Sequence, residues 1–357
     1  MIVFLIYIVI LIVAVLKAEQ HEHLENQISQ MLMVGFKGTE PDSDAESLES
    51  LQKHCPAGVV LYKHNITSPA QLVSLISNLQ KHSHTPLFIA IDQEGGNVVR
   101  LRYDQGFCPA ESAQEIGRQN QPHITAKWAN TIASDLARMG INLNFAPVLD
   151  LDSNTQSPVI GKYGRSFSHL PQLVTENARI FCQVMNQHKV YNCLKHFPGH
   201  GSATTDTHLS SADVTHTWDS AELKPYQELI EENAADMIMV SHVINRKYDA
   251  LYPSSLSRAI ITGLLRDRLG WQGVVITDDL QMNAVSQHYS LADSLRLAIL
   301  AGNDLLLFGN TRSTHQVKIS QLCQIIRDLV LAGKIPRSYI ERSCQRIKQL
   351  KAKFIDT

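Results

Sequence analysis

The sequence predicts an α/β fold, a closed (β/α)8 barrel of the TIM type, and three observations carry that expectation. Eight short apolar runs alternate with stretches of helical periodicity, and such alternation builds a parallel sheet that eight units close on itself. Most of the runs end in a charged or imidazole side chain: Asp92, Asp150, Lys195 with His196, His242, and Asp278 with Asp279. A barrel gathers those C-terminal strand ends around one mouth. No Gly-x-Gly-x-x-Gly follows the first run, which counts against the alternative, an open doubly wound sheet.

In chain order, residues 24–30 read as a short amphipathic helix leading into a first strand at 31–36. A strand follows at 58–62, then a helix over 69–81 with Leu72, Leu75, Ile76 and Leu79 on one face. Residues 87–92 form a strand that ends in an acid. The pattern predicts one helix from 111 to 139, stopped by Gly140, and a strand over 143–149 that runs into Asp150 and Asp152. Helices at 171–188 and 222–233 precede strands at 191–195 and 237–242. Ser257 caps a helix that reaches Leu269, and a strand at 273–278 comes next. A helix at 291–300 and a strand at 304–308 complete the series, before helical sequence broken at Gly333 and Pro336.

No linker or second composition zone divides the chain, so residues 21–357 are expected to form one catalytic domain with C-terminal helices. The 357 residues are 44% hydrophobic and 18% charged, with a net charge of −2. That describes a globular protein with a sizeable core and no basic patch for nucleic acid. The six cysteines are widely spaced with no Cys-x-x-Cys, which suits free buried thiols, although an even count leaves disulfides open.

Residues 1–16 are apolar apart from the Tyr7 hydroxyl, and Lys17, Glu19, His21 and Glu22 end the run. It is a little short for a membrane span and long for a signal h-region, without a basic n-region. Residues 1–20 are expected to be an export signal or an uncleaved anchor. The barrel would then be membrane-associated through residues 1–16, or periplasmic. The alternative is a start site set too early, with a cytoplasmic protein beginning near residue 20.

The richest stretch for chemistry is Lys195-His196-Phe197-Pro198-Gly199-His200-Gly201, followed by small residues and Asp206-Thr207-His208. Two basic side chains sit where a strand ends, and a loop of Gly, Ser, Ala and Thr carries an Asp-x-His pair outward. A core has no use for those residues there; a mobile catalytic loop does. In Ile91-Asp92-Gln93-Glu94-Gly95-Gly96 an acid at a strand end precedes paired glycines. A carboxylate there can accept hydrogen bonds from vicinal hydroxyls, with Arg100 eight positions on. Arg165 lies in a Gly- and Ser-flanked loop where a guanidinium can grip a polar group. Asp150 and Asp152 read as structural, holding that long loop.

These motifs, with Asn144-Phe145-Ala146-Pro147-Val148-Leu149-Asp150, Gly164-Arg165-Ser166-Phe167 and Thr277-Asp278-Asp279-Leu280-x-Met282, resemble the bacterial β-N-acetylglucosaminidases (β-hexosaminidases) of glycoside hydrolase family 3. The similarity runs from Gln27 to the C-terminal helices. It implies a retaining hydrolase of terminal β-linked N-acetylglucosamine, notably in peptidoglycan fragments, with no cofactor or metal. By resemblance the nucleophile is Asp278, and the acid/base is His208 paired with Asp206. The sugar-binding residues are Asp92, Arg100, Arg165, Lys195 and His196. Asn97 stands where relatives often carry Arg, which bears on substrate preference, and the apolar leader departs from cytoplasmic relatives.

Three other readings compete. A metal-dependent hydrolase would use His196, His200, His208, His242 and Asp278 as ligands, but no His-x-His ends an early strand. A non-catalytic sugar-binding derivative is disfavoured because Asp278, Asp206 and His208 are all present. Another sugar, or phosphorolysis in place of hydrolysis, stays open.

Overall fold

The computed structural model describes residues 22–40, 51–311 and 316–354. Eight strands form one parallel sheet: β1 (Leu32–Gly35), β2 (Gly58–Leu61), β3 (Phe88–Ile91), β4 (Leu143–Asn144), β5 (Tyr191–Phe197), β6 (Met237–Val240), β7 (Val274–Thr277) and β8 (Leu306–Phe308). The order is β7-β6-β5-β4-β3-β2-β1-β8. Ile276 bridges Leu305 in parallel, and Leu305 N–H donates to the Val275 carbonyl at 2.9 Å, so β7 meets β8 and the sheet closes. The expected barrel is therefore the observed one. Every strand residue is buried, because a barrel strand has side chains inside and helices outside.

The helices form as their sequence patterns require. In α1 (Pro69–Lys81) the Ser68 hydroxyl accepts from Gln71 N, Pro69 takes the first turn, and Leu72, Leu75, Ile76 and Leu79 are the buried face. The expected helix over 111–139 is two: α2 (Ala113–Gln119) and α3 (Pro122–Met139). Pro122 has no N–H to continue the ladder and drives Gln121 into extended backbone, so Asn120 closes α2 in the left-handed conformation. Ser257 caps as expected, its hydroxyl accepting from Ile260 N, but the helix over Ala259–Arg268 has π-type hydrogen bonding.

The fourth strand is shorter than its apolar run suggests. Phe145 N–H still donates to the Ile91 carbonyl at 2.8 Å, but Pro147 has no N–H to donate and the pairing with β3 stops. The chain stays beside β5, with Cys193 N–H on the Ala146 carbonyl at 3.0 Å, Val148 opposite Lys195, and Leu149 N–H on the Lys195 carbonyl at 2.7 Å. The interruption lets Asp150 leave the sheet beside the strand that carries Lys195 and His196. The six cysteines are unpaired. Among the described residues no helix is long and apolar enough to cross a membrane; residues 1–20, the expected leader, lie outside them.

At the opposite end of the barrel from the mouth, Asp304 is fully buried. Its carboxylate accepts from Arg266 Nη2 (2.7 Å), Val275 N (2.9 Å), Ser343 Oγ (3.0 Å) and Arg346 Nη1 (3.1 Å). It ties β8 to β7, the Ala259–Arg268 helix and the last helix, Arg337–Ala352. Asp304→Ala leaves Arg266 as a buried charge without its anion, and is expected to destabilise the fold by about 3–5 kcal/mol. Urea unfolding of the variant against the parent chain checks this.

Candidate active site

The C-terminal strand ends and their loops enclose a cavity of about 500 Å³. It is lined by all eight site residues named from the sequence: Asp92, Arg100, Arg165, Lys195, His196, Asp206, His208 and Asp278. Lys195 and His196 are consecutive, and in a regular strand one of them would face away. The β5–β6 register shifts between Leu194, opposite Ile238, and Phe197, opposite Val240. Three steps along β5 match two along β6, a bulge that turns both side chains into the mouth.

One wall is an alternating chain of charges. Arg100 Nη2 donates to Asp92 Oδ2 at 3.1 Å, and Lys195 Nζ donates to Asp92 Oδ1 at 2.8 Å. Lys195 Nζ also lies 2.6 Å from Glu94 Oε1. Arg165 then grips Glu94 with two bonds, Nε to Oε2 at 2.8 Å and Nη2 to Oε1 at 2.7 Å. Lys195 is only 1% exposed. Burial alone would lower its pKa, but Asp92 and Glu94 outweigh that and raise it, so the ammonium stays charged. Burial likewise works to raise Asp92 and Glu94, and their cationic partners hold both below the usual carboxylate range. The guanidinium of Arg100 sits 5.9 Å from the centre of the Tyr62 ring.

Glu94 has no assigned role in the sequence reading, yet it joins Arg165 to Lys195. The signal available was its spacing, two residues beyond Asp92, which directs both carboxylates to one side of an extended segment. Asn97 donates through Nδ2 to the Tyr163 carbonyl at 3.1 Å and fixes the loop before Arg165.

Asp150 is structural, as expected, and it holds more than the loop. Its carbonyl does hold the long loop, accepting from Ser166 Oγ at 2.6 Å. Its carboxylate, fully buried behind the cavity lining, accepts from His196 Nδ1 (2.6 Å) and from the main-chain N–H of His200 (2.7 Å). Burial pushes the Asp150 pKa up, but His196 and His200 outweigh it and the net shift is downward. Asp150 thus fixes which His196 nitrogen carries a proton and leaves Nε2 facing the cavity, 3.3 Å from Arg165 Nη2. Asp152 contributes through its backbone, donating to the Ser168 carbonyl at 3.0 Å.

The opposite wall carries Asp278 at the end of β7. Its N–H donates to the Val240 carbonyl at 2.9 Å, and its Oδ1 accepts from Asp279 N at 2.8 Å. Burial works to raise the pKa of Asp278, but the imidazoles of His242, His196 and His208 and the Asp279 N–H outweigh it. The carboxylate is held ionised below its usual range. His208 donates to Asp206 Oδ1 twice, through its backbone N and through Nδ1, both at 2.8 Å.

His242 does not join the mouth, contrary to the expectation from its strand-end position. It is fully buried, with Nε2 donating to the Asp279 carbonyl at 2.9 Å and Nδ1 accepting from Ser255 Oγ at 2.6 Å. Burial lowers its pKa, consistent with a neutral ring, and its task is to anchor the turn after β7. Of the proposed metal ligands, His242 has both ring nitrogens engaged, by Ser255 and by the Asp279 carbonyl. Among the described residues, no three His, Cys, Asp or Glu side chains are grouped to hold a metal ion.

A barrel whose mouth sets a half-buried, ionised carboxylate among ion-paired binding groups and a loop-borne His–Asp pair is the architecture of an enzyme. The model of the glycosyl hydrolase family 3 N terminal domain matches residues 23–350. The chain belongs to glycosyl hydrolase family 3. It is 33% identical over 332 residues to a protein named Beta-hexosaminidase A of Pseudoalteromonas piscicida, covering 87% of this chain and 55% of that relative. It is 35% identical over 285 residues to a Beta-hexosaminidase of Tolumonas auensis, covering 79% of this chain and 83% of the relative. A family 3 beta-N-acetylglucosaminidase from Paenibacillus has a similar structure, with a TM-score of 0.86 and 32% identity, covering 92% of this chain and 62% of that one. A beta-N-acetylhexosaminidase from Beutenbergia cavernae superposes with a TM-score of 0.83 at 29% identity, covering 93% and 98% of the two chains. The chain thus spans little more than half the length of some relatives and nearly all of others.

Asp279 supplies a pH test of this wall. Burial raises its carboxyl to about 6, against the opposing hydrogen bonds from the Gln281 and Gly309 backbone. Because the folded carboxyl binds its proton more tightly than the unfolded one, its stabilising contribution is complete below about pH 4 and is lost as pH rises through about 6. Relative to Asp279→Asn, the parent chain is expected to lose up to about 3 kcal/mol of stability between pH 4 and pH 7. Denaturant titrations of both proteins across that range check the sign.

Proposed function

We propose that the chain is a retaining β-N-acetylhexosaminidase that removes terminal, non-reducing, β-linked N-acetylglucosamine, with peptidoglycan fragments as the natural source. The observation that carries this reading is the pairing, in one cavity, of a half-buried, ionised Asp278 with the Asp206–His208 pair. The names of the relatives support the sugar, and the ion-paired wall suits a ligand dense in hydroxyl groups.

In this reading an oxygen of Asp278 attacks the anomeric carbon while His208 Nε2–H protonates the departing glycosidic oxygen. A glycosyl ester forms on Asp278 and the aglycone leaves. His208, now neutral at Nε2, takes a proton from water, whose oxygen attacks the anomeric carbon and frees Asp278 with net retention. Asp206 accepts from Nδ1–H throughout, orienting the ring and stabilising its protonated form. Asp92, Arg100, Lys195, His196 and Arg165 bind and orient the sugar. Residues 1–16 would route this activity out of the cytoplasm or hold it at a membrane, and fractionation of the full chain against one starting at residue 21 tests that.

The full chain is expected to release nitrophenol from the β-N-acetylglucosaminide, to spare the plain β-glucoside, and to be indifferent to a strong chelator. Folded protein that is silent on both glycosides would overturn the reading. Asp278→Ala is expected to abolish turnover, and His208→Ala to slow it by about 10²–10⁴-fold. Near-wild-type rates in both variants would remove the site assignment.

A further inference from the structure

His200 and Thr207 make a contact that no step above uses. Each is 1% exposed, and His200 Nε2 lies 3.2 Å from Thr207 Oγ1. We infer that His200 and Thr207 are a positioning pair that sets the acid/base loop relative to Asp278. This rests on the reading of His208 as the acid/base.

The His200 side of the contact is a fixed post. Its N–H is held by Asp150 Oδ1 at 2.7 Å, the carboxylate that also orients His196. The turn on either side is packed against the barrel. A Cβ at Gly201 would fall 1.7 Å from the Leu151 carbonyl oxygen, and one at Gly199 would fall 2.6 Å from Glu222 Oε2. Burial lowers the His200 pKa to about 4, against the pull of Asp150, so the ring is neutral over the working range and titration does not break the contact.

Thr207 is the residue between Asp206 and His208. Beyond its side-chain contact, its carbonyl accepts from Ala284 N at 3.2 Å, and the Leu209 carbonyl accepts from Asn283 Nδ2 at 3.3 Å. The bonds of His208 to Asp206 orient the ring within the loop. The bonds of Thr207 seat that loop on the barrel, between the post after β5 and the segment after β7 that follows Asp278. Loss of one seat lets the imidazole drift, and a drift of about 1 Å costs on the order of 10²-fold in rate.

The test compares leaving groups on aryl N-acetyl-β-glucosaminides. A phenyl leaving group needs protonation; a dinitrophenyl group leaves unaided, so its kcat/KM is blind to the acid. Thr207→Val is expected to lower kcat/KM for the phenyl glycoside by about 10–100-fold and to spare the dinitrophenyl glycoside. Azide, which needs no general base, should speed dinitrophenyl turnover in Thr207→Val as in His208→Ala. Thr207→Ser, which keeps the hydroxyl, should restore parent behaviour. The double variant Thr207→Val/His208→Ala should be no slower than His208→Ala alone, since a misplaced and an absent imidazole are equivalent. His200→Leu breaks the contact from the other side and should reproduce the leaving-group pattern if Thr207→Val does not fold. Equal losses on both glycosides, or multiplied losses in the double variant, would overturn the inference while leaving the role of His208 intact. Parent-like rates in His208→Ala would overturn both.

Discussion

Lys195 has to be buried and charged at once, and the mouth of the barrel is arranged around that requirement. An isolated ammonium at 1% exposure would shed its proton. Asp92 and Glu94 keep it charged, and each of these carboxylates, one half-buried and one buried, has a second cation, Arg100 for one and Arg165 for the other. The chain of five groups is a unit, since truncating Asp92 or Glu94 leaves an arginine without its anion and Lys195 with only one. Such a wall is rigid before a ligand arrives, and rigidity of this kind lets hydroxyl groups be recognised without reorganisation.

Facing that wall, rigid and adjustable parts are separated. Asp278 comes directly off a strand and is backed by His242, whose buried ring pins the Asp279 carbonyl. His208 comes from a loop. Asp150 connects the two halves of the site by holding the His196 ring with one oxygen and the backbone of His200 with the other. A residue with no part in bond making can therefore influence both sugar binding and the placement of the acid/base pair.

Much of this was legible in the chain. Eight apolar runs with polar termini are enough to expect a barrel, because burial on both faces demands continuous apolar strands and the fold collects their ends. The motifs around Asp92, Lys195, Asp206 and Asp278 brought all eight named residues to one cavity. Local errors had local causes. Pro122 split a helix that periodicity read as continuous, and Pro147 cut short a strand that its apolar character extended.

What the sequence determined by itself was the periodicity, and with it the elements, their order and the residues delivered to the strand ends. Partnership was decided only by the tertiary structure. Glu94 bridges Arg165 across 71 positions and Asp150 grips His196 across 46, distances over which no local pattern carries information. His242 and His196 illustrate the same limit: both end a strand, yet one lines the cavity and the other is enclosed beneath it. The bulge in β5 turns His196 inward, whereas Ser255 and the Asp279 carbonyl take both nitrogens of His242. Strand position is a property of the chain, but the side chain's partner depends on the neighbouring strands and loops that only folding brings alongside.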